Sequence, residues 1–146
     1  MTPQTTLLAG ATFALVTTIA LSSVSAQNGA KGTSNDGVFT KAQAERASAQ
    51  FTKMCADCHS FTVAARKKPG DIVLGGPLFL KAWNGRTLDE MVTTIVMTMP
   101  SDGSGEVTEP EGLDLVAYIL QQNGYPAGSK PLTKATAAGV VVRPKK

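Results

Sequence analysis

Both cysteines and the only histidine of this 146-residue chain fall within five positions, Cys55-Ala56-Asp57-Cys58-His59. No other feature limits the possible fold as strongly, because the cluster decides what the chain is built around. A structural zinc site wants four Cys or His ligands, and three candidates cannot close one. A disulfide between thiols this near in sequence would add little stability. Thiol redox chemistry of the thioredoxin kind expects its CxxC beside a βαβ pattern. No strand-rich pattern surrounds this one.

C-x-x-C-H is also the attachment signal for c-type haem. Two thiols at this spacing can add to the two vinyl groups on one porphyrin edge, and the next residue, His59, then reaches the iron. The remaining composition agrees with a protein that needs a cofactor to complete its interior. Only 5% of residues are aromatic, so the polypeptide alone would supply a modest core. A formal charge of +3 weakly favours an anionic partner, and nothing resembles a nucleic-acid-binding arm.

The first residues read as an export signal. Leu7 to Leu21 carries no charge, and small residues at Val24-Ser25-Ala26 fit cleavage after Ala26. No Lys or Arg precedes Lys31, so the positive region is only the terminal amine. The alternative is an uncleaved anchor, since Leu7 to Val24 just reaches about 18 residues. Both readings export the rest of the chain, which sets the expected location as the periplasm. The expected organisation is a signal peptide at 1–26, a flexible leader at 27–38, one domain at 39–128 and a basic, flexible tail at 129–146.

Within that domain the spacing predicts an all-α fold of three to four short helices. "TKAQ" at Thr40 has the pattern of a capping box, and Ala44, Ala47, Phe51 and Cys55 follow on one face. "TLDE" at Thr87 opens a second helix whose stripe is Leu88, Met91, Val92, Ile95 and Met99. Pro100 ends it, because the residue before a proline is pushed out of helical geometry. "TEPE" at Thr108 opens a third, with Leu113, Val116, Ala117 and Leu120 inward and Asn123-Gly124 as its stop. Residues 60–86 read as loop, a length that suits wrapping something other than protein. "GVVV" in the tail suggests a strand with no visible partner.

The histidine count leaves the sixth position of an iron to methionine, an open site or a weaker donor. Met99 continues the stripe of Met91 and Ile95, whereas Met97 points with Thr93 and Glu90. The phase therefore selects Met99.

Taken in order, Phe51, "CADCH", "GGPLF" at Gly75 to Phe79, "WNGRT" at Trp83 to Thr87, "MP" at Met99-Pro100 and "LVAYILQQNG" at Leu115 to Gly124 resemble a class I cytochrome c. The chain is especially similar to small bacterial periplasmic cytochromes that occur alone or as subunits of dehydrogenases. The resemblance implies one covalent haem c bound by Cys55 and Cys58, with His59 and Met99 as metal ligands. It implies a crossing of the first and last helices near Ala47 and Tyr118. It also implies a hydrogen bond from the other His59 ring nitrogen to the Pro77 carbonyl. Trp83 and Arg86 resemble residues near the haem propionates, and Trp83 has the equal alternative of a lid over the haem edge. The function implied is single-electron transfer, not enzymatic turnover, between partners such as a periplasmic dehydrogenase or a terminal oxidase. A haem-based binder of diatomic gas is the alternative if no sulfur reaches the iron, and a CxxC thiol oxidoreductase is a third. The bases of "ARKKPGD" at Ala64 to Asp71 could steer an acidic partner or be plain solvated surface.

Overall fold

Helix α1 (Lys41–Met54) begins where Thr40 accepts the Gln43 amide at its hydroxyl, 3.2 Å away, and it buries Ala44, Ala47 and Phe51. The computed structural model describes residues 31–146; the expected signal peptide and the first four leader residues lie outside the described residues. Helix α1 packs on α4 (Glu109–Gln122). Ala47 is fully covered at their contact, and Phe51 meets Tyr118 with ring centroids 5.1 Å apart. Helix α3 (Leu88–Thr98) also packs on α4. A methyl group at Gly112 would stand 2.8 Å from the Val96 side chain, so the two helices meet at that glycine.

Thr87 and Thr108 form complete capping boxes with Glu90 and Glu111, as their spacing predicts. Thr40 makes half of one. Gln43 does not reach back to it, because its side chain bonds the backbone of Leu132 instead.

The fold is all-α in class, with five α-helices among the described residues rather than three or four. One unexpected helix, α2 (Gly76–Trp83), occupies part of the region read as loop. Its "GGP" opening has turn composition, yet Pro77 in the first turn has a φ preset for a helix. Gly76 supplies the positive φ of 61° at the entry, and "LFLKAW" then contains no breaker.

The tail is the larger correction. Residues 129–146 were expected to be flexible, as was the leader. Instead strand β1 (Gly32–Thr33) pairs in parallel with β4 (Val140–Val141), with Gly32 opposite Val140 and Thr33 opposite Val141. Helix α5 (Lys134–Ala137) precedes β4. Leu132, Ala137, Val140, Val141 and Val142 are all buried. Val142 also exchanges backbone hydrogen bonds with Gly85 and Arg86, each 2.9 Å long. Lys134 reaches Asp89 on α3 at 2.6 Å. "GVVV" thus finds its partner more than a hundred residues earlier, where no local pattern points. Among the described residues no helix is long and apolar enough to cross a membrane.

Candidate functional site

The end of α1 and a tight turn bring the three residues of the motif together. Cys55 caps the helix with its amide on the Phe51 carbonyl, and the Cys58 and His59 amides both return to the Cys55 carbonyl, at 3.1 and 2.9 Å. His59 then enters strand β2 (His59–Ser60), which pairs in parallel with β3 (Ile72–Val73), His59 opposite Ile72. The intervening loop leaves and returns across this pairing.

Beside the motif lies a cavity of about 300 Å³ with largely apolar walls. Cys55, Cys58 and His59 line it. So do Phe51 and Met54 from α1, Ile119 from α4, Trp83 from the end of α2, and Met91, Ile95 and Met99 from α3 and its cap. Met99 follows the last helical turn in extended geometry, φ −121° and ψ 144°, with its amide still bonded to Ile95. Met97, two residues earlier, is 75% exposed and is not part of the lining.

The chemistry of these walls fits a haem. Both cysteines are free thiols, and burial pushes the Cys55 thiol above its ordinary pKa, which keeps it protonated. Burial lowers the pKa of His59, against the opposing pull of the Ile72 backbone and the Asp71 charge. The neutral imidazole favoured in this way is the form that ligates metals. His59 Nδ1 is buried without a hydrogen-bond partner, and the nearby Ile72 backbone does not complete a bond to it.

That orphaned nitrogen corrects one expectation, since the bond from His59 to the Pro77 carbonyl is not formed. Pro77 stands in the first turn of α2 and does not line the cavity. Arg86 also lies outside the lining. It sits over the Trp83 ring at 4.4 Å and pairs with Glu90 at 3.2 Å, so it reaches the cavity only through Trp83.

Asn123 is a residue whose sequence context suggests only a helix stop. Its Nδ2 donates to the Leu74 carbonyl at 2.8 Å, and its Oδ1 accepts the Gly76 amide at 3.1 Å. It therefore ties the start of α2 and the end of β3 to α4. Met54 is a further wall residue that sequence reasoning missed. Its place immediately before Cys55, one residue short of the attachment turn, was the available signal.

The family model described as cytochrome C oxidase, cbb3-type, subunit III matches residues 42–119, which span the motif, the cavity and Met99. No curated protein and no solved structure matches the chain. A Cys-x-x-Cys-His turn on an apolar cavity inside a helical fold, together with that match over more than half of the chain, places the protein in this family of c-type cytochromes: it is an electron-transfer protein that carries covalently bound haem c.

Proposed function

We propose that Cys55 and Cys58 would hold the haem through thioether bonds, that His59 and Met99 would ligate its iron, and that the protein carries single electrons between exported redox partners. The S–H of each cysteine adds across one vinyl double bond, so no oxidant is consumed in the attachment. Bound haem iron supplies a one-electron ferric–ferrous couple. The chain's own part is to offer a neutral imidazole and a thioether, to exclude water with Phe51, Ile95 and Ile119, and to leave the proton balance untouched. His/Met ligation with burial raises the potential.

One observation carries this reading. Cys55, Cys58, His59 and Met99 line one apolar cavity, while Met97 is turned out of it. Trp83, on the same wall, would close one side of the haem or approach its propionates, with Arg86 stacked behind it. Residues 1–26 act as a cleaved signal, the mature protein works in the periplasm, and a dehydrogenase or a terminal oxidase is the partner class.

The deciding experiment is a visible spectrum of the exported protein before and after acid–acetone extraction. Haem that resists extraction, with the weak far-red band of iron–sulfur ligation, is expected. Met99→Ala should abolish that band and Met97→Ala should keep it. An unchanged spectrum in Met99→Ala would replace the carrier with an open-site gas binder. Alkylatable thiols on haem-free exported protein would return Cys55 and Cys58 to thiol chemistry.

A further inference from the structure

Between α2 and α3 the chain turns through Asn84, Gly85 and Arg86, all of them exposed. Trp83, which ends α2, lines the haem cavity, as do Met91, Ile95 and Met99 from α3 and its cap. The turn therefore sets how these two walls stand to each other. Its own bonds are few. Asn84 and Arg86 donate their amides back to the Leu80 and Trp83 carbonyls, both at 2.9 Å. Its other two backbone bonds come from the end of the chain.

Val142 accepts the Gly85 amide and donates its own to the Arg86 carbonyl, each at 2.9 Å. Its neighbour Val141 forms an antiparallel bridge with Thr87. This strand is held in turn by the leader and by the residues just past α4. Ser34, fully buried, donates its amide to the Val141 carbonyl at 2.9 Å, and its hydroxyl accepts the Arg143 amide at 3.0 Å. The Tyr125 hydroxyl donates to the Arg143 carbonyl at 2.6 Å. Val142 itself is fully buried, yet it is not part of the haem-cavity lining.

Trp83 is where this support reaches the cofactor site. Together with Ala82 it lines both the haem cavity and an adjoining hollow of about 400 Å³. The indole is half-buried, and Arg86 lies over it at 4.4 Å, so a turn that shifts carries both residues with it. The apolar shell around a metal site controls the access of water and, through it, the reduction potential.

We propose that Val142 is a positioning residue for the haem: its two backbone bonds to Gly85 and Arg86 hold Trp83 in the cavity wall, which keeps water from the cofactor and the potential high. The inference rests on the haem-carrier reading above. It adds a determinant of the potential that lies outside the cavity.

The test uses the haem-loaded, reduced protein. Trp83 is the only tryptophan, so one indole N–H signal reports its position, and the porphyrin ring current displaces that signal when the indole lies against the haem. Val142→Pro keeps an apolar side chain but lacks the amide, and a chain ended at Gly139 lacks the strand altogether. Both should move the indole signal towards that of an exposed tryptophan. Both should also lower the potential, raising the ferric-to-ferrous ratio at a fixed poise about threefold or more. Val92→Ala is the control, since it removes buried methyl groups from the contact with Gly112, away from the cavity lining. It costs stability but should leave the indole signal and the ratio unchanged.

A second measurement needs no variant. In wild-type protein the Gly85 and Val142 amides should be equally protected against hydrogen exchange, because one opening frees both. Unequal protection, an unchanged ratio in Val142→Pro, or an indole signal that Val142→Pro and Val92→Ala shift alike would overturn the positioning role. A wild-type indole signal already at the exposed position would instead overturn the placement of haem beside Trp83, and with it the reading of the site.

Discussion

Gln43 and Leu132 are joined by two hydrogen bonds: Gln43 Nε2 donates to the Leu132 carbonyl at 2.9 Å, and Gln43 Oε1 accepts the Leu132 amide at 2.7 Å. The pair is buried, and it fastens the tail to α1. Gln43→Ala leaves a buried N–H and a buried C=O unpaired, at a cost of about 2 kcal/mol or more. Denaturant unfolding of the oxidised haem protein should show that loss, together with earlier proteolysis after Leu132. A change under about 0.5 kcal/mol would mean that water replaces the amide freely.

Gly75 has no room for a side chain. A Cβ there would stand 2.0 Å from the Phe61 carbonyl oxygen, which is backbone and cannot turn away. Gly75→Ala should cost more than about 3 kcal/mol and sharply reduce the yield of haem-loaded protein. Gly70 offers a contrast, since it has open space but a φ of 95°. Gly70→Ala should cost only about 1–2 kcal/mol, the penalty for an L-residue in that region. Two melting curves separate crowding from backbone preference.

Asp71 makes the 66–71 loop sensitive to acid. Burial pulls its carboxyl upward, but the Lys67 and Lys68 amides and the Lys68 and Arg66 charges outweigh it, and its pKa lies below the ordinary value. A carboxylate lowered in the folded state stabilises above its unfolded pKa, and that contribution disappears as pH falls through the folded pKa. The stability gap between wild type and Asp71→Asn should therefore be full at pH 6 and shrink below about pH 4. A gap that stays constant down to about pH 2 would contradict this assignment.

Without haem the interior should not hold. At about 24 cal/mol per Å³, a cavity of about 300 Å³ left unfilled corresponds to about 7 kcal/mol, comparable with the whole stability of a small domain. Cys55→Ala with Cys58→Ala, purified free of haem, should melt without a cooperative transition in calorimetry. A sharp transition near the holoprotein's would show that the polypeptide is self-sufficient.

The parts of the fold legible in the sequence were those with local causes. Thr87 and Glu90, or Thr108 and Glu111, are three residues apart, so their reciprocal bonds are visible in the order of letters. Helical phase likewise separated Met99 from Met97, because Met97 lies in the last turn of α3 and Met99 caps it directly, with its amide still bonded to Ile95. Gln43 sits at the same spacing from Thr40, yet a partner 89 residues away took its side chain. Val140 to Val142 looked orphaned for the same reason, as their partners are Gly32, Thr33 and the Gly85–Arg86 turn. In α2, glycine and proline mark a helix start, and their composition alone reads as loop. The Pro77 role came only from the resemblance, and no local pattern marks it: Pro77 stands in the first turn of α2, outside the cavity lining, and His59 Nδ1 has no partner in this structure.

The parallel pairing of β1 with β4 also has a mechanical meaning. Tension applied through the residues before Lys31 and after Val142 pulls the two strands along their length in opposite directions. The bonds from Lys31 and Gly32 to Gly139 and from Ser34 to Val141 would then bear the load together, as in a lap joint, and would not peel one at a time. A partner tugging on either end would strain that clasp before it strained the helices that enclose the metal.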